Sequence, residues 1–227
     1  MLFGLFLKPY LMLPDFFKWL SENPTPTITI ISVIIALLAL RHQRTEARKK
    51  NTYQVAENYT ERIIPSAKYI KRIFDLVGIT EYNKKFVNYQ LFTRSEIEAY
   101  FKECGFTEQQ YTEKLYQIED KTLDEAFIFC GCHQSMEKYH KSFKEVEMNN
   151  AHLIGSAINN YIIYLLNDLE KISILFYNDI ANEKLIYELL HDSFFQIIDI
   201  LYYFIATNDN YSNIIWLYNE WKKRATI

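Results

Sequence analysis

The chain begins with a long run of apolar positions and then changes abruptly to a mixed pattern of apolar and polar positions. No charged residue stands between Thr25 and Leu40, whereas residues 41–50 carry five positive charges and one negative charge. Further along, apolar residues recur every three or four positions, as they do in amphipathic helices. This pattern predicts an all-α protein, in which an N-terminal transmembrane helix continues into a cytoplasmic helical bundle.

The uncharged run predicts three segments: an interfacial apolar segment at 1–24, a transmembrane helix at 25–42 and a cytoplasmic helical domain at 43–227. Sixteen residues, Thr25–Leu40, carry no charge, and as a helix they would rise ~24 Å against a hydrocarbon core of ~30 Å. Snorkelling of Arg41 and local bilayer thinning would make up the difference. A buried core helix is the alternative. A cleaved signal peptide fits poorly, because its positive charges precede the apolar run.

The first twenty residues are apolar but cannot form one straight membrane helix. Pro9 and Pro14 interrupt them, and Lys8, Asp15 and Lys18 would lie deep in lipid. A segment lying in the headgroup region is therefore predicted, and a first membrane pass that forms a hairpin is the alternative.

Positive charges directly after the span predict its orientation. Because Lys and Arg beside a span remain in the cytoplasm, the N-terminus is expected outside a bacterial inner membrane and the C-terminal domain inside the cell. The side chains expected to contact lipid headgroups are Arg41, Arg44, Arg48, Lys49 and Lys50. Three cysteines without a disulfide spacing agree with a reducing compartment.

One face of the predicted span carries small or weakly polar residues. Steps of four and three along a helix place them on one side, and they are Thr25, Thr29, Ser32, Ala36, Ala39 and Gln43. Small residues let membrane helices approach closely. The stripe predicts a homo-oligomer packed through this face, or a ring that turns the face to an aqueous lumen. Chance spacing remains the alternative.

In the body, helix boundaries are indicated by proline, glycine and capping residues. Pro65 is expected to kink or end the first helix, and Gly78 to end the next one. Three capping boxes predict helix starts at Thr93, Thr107 and Thr122, with the third helix running through Phe129 towards Val146. Residues 82–92 fit either a short strand or a loop.

Two long helices are predicted in the C-terminal part, followed by a final one. The first has a continuous apolar seam from Ile154 to Phe176, and a turn follows at 178–182. The second runs from about Glu183 to Ala206, with Leu185, Leu189, Phe194, Ile198 and Leu201 expected to face inward. Its apolar half is too short for a second span and contains Asp199. The final helix carries Ile214, Ile215, Leu217, Tyr218 and Trp221.

Composition excludes several classes of protein. With five glycines and five prolines, none of the prolines after residue 65, the chain lacks the turns of a β-sandwich and the glycine-rich loop of a Rossmann unit or P-loop. A net charge of -3 argues against a general nucleic-acid binder, and no specific nucleic acid is predicted as a partner.

The sequence offers only weak candidates for a catalytic or metal-binding site. His133, Glu137 and His140 share a helical face that could hold a metal, but a solvated polar face is the simpler interpretation. An RNase of the HEPN class needs an Arg and a His four to six residues apart, and Lys184 with His191 is the nearest substitute. No catalytic, cofactor or metal site is predicted. A membrane-tethered HEPN-like RNase, or a tether that recruits a cytoplasmic partner, is the alternative function.

The C-terminal motifs resemble a bacterial family of unknown function. The resemblance rests on residues 167–172 with the pattern Asn-x-x-Glu-x-Ile, on 182–190, and on 214–221, which end in Trp221. It implies one N-terminal span and a helical cytoplasmic domain. The same plan is similar to that of the membrane accessory proteins of type VI CRISPR systems. That similarity implies an oligomeric pore in antiviral defence, with a possible partner protein from the defence system.

Overall fold

The computed structural model describes residues 24–86, 89–105, 107–131, 136–137, 140–141 and 151–225. At residues 24–27, 30, 82, 84, 85 and 151–153 it describes the backbone alone. The predicted interfacial segment at 1–24 therefore lies, apart from Pro24, outside the described residues. Over the described ranges the chain is helical and contains no strand, which confirms the all-α prediction.

Nine α-helices have defined bounds within the described residues. They are α1 (Pro24–Asn58), α2 (Ile64–Val77), α3 (Thr80–Phe86), α4 (Arg94–Cys104), α5 (Glu108–Leu115), α6 (Asp120–Phe129), α7 (Ala151–Tyr177), α8 (Glu183–Ala206) and α9 (Ser212–Ala225). A π-helical turn, Tyr59–Ile63, joins α1 to α2, and a 3₁₀ turn, Asp209–Tyr211, precedes α9. Residues 82–86 are thus helical, whereas the sequence allowed either a short strand or a loop over 82–92.

The chain divides into two units, Met1–Ala47 and Arg48–Ile227. In the first unit, the described residues belong to the N-terminal part of α1. The second unit contains the rest of α1 and every later helix, and it has its own hydrophobic core.

Aromatic side chains fill much of the core of the second unit. Phe86 of α3 packs against Tyr100 at 3.8 Å and stacks on Tyr202 at 5.2 Å, measured between ring centroids. Tyr111 lies 4.6 Å from Tyr203 by the same measure. Such rings bury large apolar areas and favour tilted and edge-to-face contacts. The short helices α3 to α5 are consequently anchored on the C-terminal half of α8.

The seam predicted along α7 is confirmed, but the inward face predicted for α8 is partly wrong. Leu185 and Leu189 are 44% and 65% exposed, whereas Ile186 and Leu190 are buried. The inward register starts one residue later than expected, since a run of Leu and Ile offers apolar side chains on neighbouring faces. Phe194, Ile198 and Leu201 are buried as predicted.

Pro65 changes the helix without ending it. The backbone N–H of Ile64 donates to the carbonyl of Tyr59, five residues back, so the chain makes one π turn and continues as α2. Proline has no N–H and its ring crowds the carbonyl one turn before it. A widened turn just ahead of Pro65 accommodates both effects, and π turns of this kind occur as single bulges within helices.

Two of the three predicted capping boxes mark real helix starts. Thr107 and Gln110 form a complete box at α5, and the Thr93 hydroxyl accepts from the N–H of Glu96 at α4. The third is wrong, because α6 begins at Asp120 after Glu119 and ends at Phe129. Gly131 follows with a φ of 72°, in the left-handed region that favours glycine. Residues 142–146, where the helix was expected to continue, lie outside the described residues.

The turn between α7 and α8 is fastened to the part of α1 that belongs to the second unit. The backbone N–H of Asn182 donates to the Thr52 hydroxyl at 2.8 Å, and the Asn51 amide donates to the carbonyl of Ile180 at 3.3 Å. Arg48 pairs with Asp179 at 2.5 Å. These contacts join residues about 130 positions apart in sequence, and they hold the start of the second unit to its last two long helices.

Two carboxylates hold the last helix in place. Glu170 of α7 accepts from the backbone N–H groups of Asn213 and Ile214, at 3.2 and 2.9 Å, and from the Asn213 amide at 2.6 Å. These N–H groups lie in the first turn of α9, where no intrahelical acceptor exists. Glu183 of α8 accepts from the indole N–H of Trp221 and from Arg224.

Removing the Glu170 carboxylate should destabilise the fold through α9. Glu170→Ala leaves the two N–H groups of the first turn and the Asn213 amide without their acceptor, which should lower the free energy of unfolding by about 1–2 kcal/mol. Chemical denaturation of the detergent-solubilised chain, followed by tryptophan fluorescence, measures this loss. Glu188→Ala, which removes an exposed carboxylate from α8, is the matched control. Equal losses in the two variants would contradict the capping role.

Candidate functional site

The first candidate is the N-terminal part of α1, where large apolar side chains face solvent on every side of the helix. Those described are between 51% and 64% exposed, and they are Ile28, Ile31, Val33, Ile34, Ile35, Leu37, Leu38 and Leu40. Monomeric soluble proteins seldom expose a continuous apolar surface of this extent, and such surfaces usually mark a protein or membrane contact. Within the part of the chain that the structure describes, no other element covers this stretch.

The predicted small-residue stripe falls on this same helix. Thr29, Ser32, Ala36, Ala39 and Gln43 are all exposed in the structure. The side chain of Thr25, the first member of the stripe, lies outside the described residues. Because the stretch is one uninterrupted helix, the spacing of four and three places the five described members on one face.

The basic residues after the apolar stretch differ in their surroundings. Arg41, Arg44, Lys49 and Lys50 are exposed. Arg48, the fifth residue expected to contact headgroups, is paired with Asp179 and its side chain is 42% exposed. Sequence spacing gave no signal for that pairing, because its partner lies in the turn between α7 and α8.

By length and apolar composition alone, one described helix could cross a membrane. It is α8, the one such helix among the residues that the structure describes, and 56% of its most apolar window is buried inside the fold. Burial of that degree is typical of a core helix, as predicted for residues 197–206. The side chains of 25–27 and 30 are not described, so the span at 25–42 stays a prediction.

Of the trio His133, Glu137 and His140, the two described members do not share a solvated face, because Glu137 is exposed and His140 is buried. His140 is buried, with its Nε2 3.2 Å from Asp124 and its Nδ1 3.3 Å from the Tyr69 hydroxyl. Its ring stacks on Phe127 at 4.1 Å between centroids. His140 is therefore part of the packing between α2 and α6.

The other described member of the trio, Glu137, is engaged in a surface ion pair. Glu137 pairs with Lys141 at 2.6 Å on the surface, and His133 lies outside the described residues. Within the described ranges no three His, Cys, Asp or Glu side chains are grouped closely enough to hold a metal ion.

The Lys184 and His191 pair has the geometry of a helix surface. The His191 Nδ1 lies 2.9 Å from the carbonyl of Tyr187, one turn back, and the imidazole stacks on the Tyr187 ring at 4.6 Å between centroids. Lys184 is exposed two turns before it. One imidazole nitrogen is thus occupied by its own helix, and this pair provides no converging set of groups for a phosphodiester.

The residues of the C-terminal motifs perform structural roles. Glu170 caps α9, and Glu183 binds Trp221, as described above. Asp168, within the Asn167–Ile172 motif, pairs with Arg62 at 2.9 Å. Each of these carboxylates joins two elements of the second unit, so these motif residues help to close the bundle.

Comparison with known proteins gives one result. Neither the curated proteins nor the solved structures contain a match to this chain. A family described as a domain of unknown function, DUF4760, matches residues 26–221. The match spans the exposed apolar helix and the whole bundle up to Trp221, and by this match the chain belongs to the DUF4760 family.

Proposed function

We propose that this chain is a membrane-anchored helical protein that self-associates through the helix at residues 25–42. The observation that supports the proposal is the exposure of every described large apolar side chain between Ile28 and Leu40. Transferring a Val, Leu or Ile side chain out of water is worth about 1.5–3 kcal/mol when burial is complete. Since these side chains are already about half covered, their transfer into lipid is worth on the order of 10 kcal/mol in total.

The charge pattern supports insertion across the bilayer with the body on the cytoplasmic side. The stretch from Thr25 to Leu40 contains no charge, and Arg41 and Arg44 follow it directly. Positive side chains of this kind remain with the anionic inner leaflet. In this arrangement Arg41, Arg44, Lys49 and Lys50 contact lipid headgroups, and Arg48 holds Asp179 within the body.

Self-association is the second part of the proposal, and it rests on the small-residue face. Between membrane helices there is no hydrophobic driving force, so close packing and interhelical hydrogen bonds decide the contact. Ser32 and Ala36 lie one turn apart at the centre of the face. Their small side chains would let the backbones of two copies approach, while Ile and Leu on the other faces remain in lipid.

A conducting pore is the more specific form of the same proposal. In a ring of helices the hydroxyls of Thr29 and Ser32 would line an aqueous lumen instead of a helix contact. Its use in antiviral defence, with a partner from the same system, rests on the similarity of plan to type VI CRISPR accessory proteins. Release of a small dye from vesicles that contain the protein distinguishes the pore from a closed assembly or a tether.

Lysines within the apolar stretch should abolish membrane anchoring. Val33→Lys with Leu37→Lys places two charges one turn apart, each costing about 2.5–3.5 kcal/mol at the centre of a span. We expect the wild-type chain to float with vesicles of phosphatidylethanolamine and phosphatidylglycerol, and the double variant to remain largely in the soluble fraction.

The matched control places the same charges on the body. Tyr164→Lys with Leu189→Lys alters two side chains that are 59% and 65% exposed, comparable to the two in the stretch. This control should float as the wild type does. Equal flotation of both double variants, or no flotation of the wild type, would refute the anchor.

Enlarging the small-residue face should weaken self-association. Ser32→Leu with Ala36→Leu keeps the stretch apolar but separates the helix backbones, so the oligomer should dissociate to smaller species. Mass measured by light scattering in mild detergent reports the change. Ile31→Leu with Ile35→Leu, on a neighbouring face, should leave the mass unaltered. A monomeric wild type, or an unchanged mass in the first variant, would exclude assembly through this face.

A further inference from the structure

A cavity of about 510 Å³ lies between α2, α3 and α8 in the second unit. Its volume falls within the range of sites that hold small molecules, about 300–1,000 Å³. Its polar walls are formed by Lys71 and Asp75 of α2, Thr80 and Asn83 of α3, and Gln196 and Asp199 of α8. Neither the membrane anchor nor the assembly proposed above uses this cavity.

The cavity is preformed, because its walls are fixed to one another by hydrogen bonds. The Asn83 amide donates to the carbonyl of Ile200 at 2.9 Å, and its oxygen accepts from the Tyr111 hydroxyl at 2.8 Å. Asn83 is itself buried. These bonds hold α3 against α8, so a ligand would meet the lining groups already in position.

On the α2 wall, charge is already balanced. Asp75 pairs with Lys71 at 2.9 Å. Partial burial would raise the pKa of Asp75, but hydrogen bonds from Thr80 and Lys71 outweigh it and the pKa is lowered. Asp75 is therefore a carboxylate whose partners belong to the protein.

On the α8 wall, Asp199 is in a different situation. It interrupts the apolar half of α8, between the buried Ile198 and the half-buried Ile200. Among the described residues it has no hydrogen-bond or ion-pair partner within contact distance. Burial raises its pKa, and the positive charge of Lys222 opposes that shift from a distance. The Lys222 ammonium is instead directed to the Tyr218 hydroxyl, at 3.0 Å.

We propose that this cavity binds a small primary amine, with its ammonium group on the Asp199 carboxylate. The lining carries one positive and two negative side chains, so its formal charge is -1 and favours a cation. Ile200 offers an apolar wall for an aliphatic chain, and the Gln196 amide, which has no partner among the described residues, can bond a second polar group. A charge-assisted hydrogen bond in a half-desolvated site is among the stronger polar contacts available. This inference is independent of the proposed membrane function.

Calorimetric titration of the full chain in detergent tests the site. The probes are butylamine and 1,4-diaminobutane, with 1,4-butanediol as a neutral probe of nearly the same length. We expect saturable binding of the amines and none of the diol. Asp199→Asn keeps the shape of the side chain and removes its charge, and it should weaken amine binding about tenfold or more.

Two further variants separate the site from general charge effects. Glu188→Gln makes the same charge change at an exposed position of α8 and should bind the amines as the wild type does. Gln196→Phe, at an exposed edge of the cavity, should obstruct it and abolish binding while circular dichroism shows an intact fold. Absence of saturable amine binding in the wild type would overturn the proposal. So would equal affinity in Asp199→Asn, or binding of the diol as tight as that of the amines.

Discussion

Apolar side chains that face water on every side of a helix must be covered by another surface, and residues 28–40 form such a helix. No arrangement of a single helix can hide them, because side chains project in all directions around its axis. A bilayer covers these side chains on all sides of the helix, and a neighbouring copy can cover one face. The proposed function follows from this constraint, and the small-residue face determines only which side another copy would occupy.

In the second unit, three carboxylates stabilise the bundle by joining one helical element to another. Glu170 accepts from the first-turn N–H groups of the last helix, Glu183 accepts from Trp221, and Asp168 pairs with Arg62. A helix terminus inside a packed structure must find acceptors from elsewhere in the chain. Hence the described carboxylates of the C-terminal motifs have contacts that stabilise the packing of the last helices in this chain.

Local signals predicted the helices well, and long-range pairings could not be predicted. Gly78 ends α2 with a φ of 78°, and Thr107 starts α5 with a complete capping box, because each effect involves neighbouring residues. The inward face of α8 was misplaced by one residue, since Leu189 and Leu190 are equally apolar and only packing distinguishes them. Similarly, the partners of Arg48 and His140 lie in other elements of the chain, and no local spacing rule predicts such pairings.

Asp199 lies in the second unit, and its surroundings need an explanation separate from that of the exposed apolar helix. A partly buried carboxylate on an apolar helix costs free energy unless something offsets the loss of hydration. Within the bundle, Glu170 and Glu183 meet that requirement by direct hydrogen bonds, and Asp75 meets it through Lys71. Asp199 instead faces a preformed cavity, where a small cation can supply the missing partner. The proposed anchoring therefore rests on the exposed helix alone, and the proposed amine site rests on Asp199 and the cavity in the second unit.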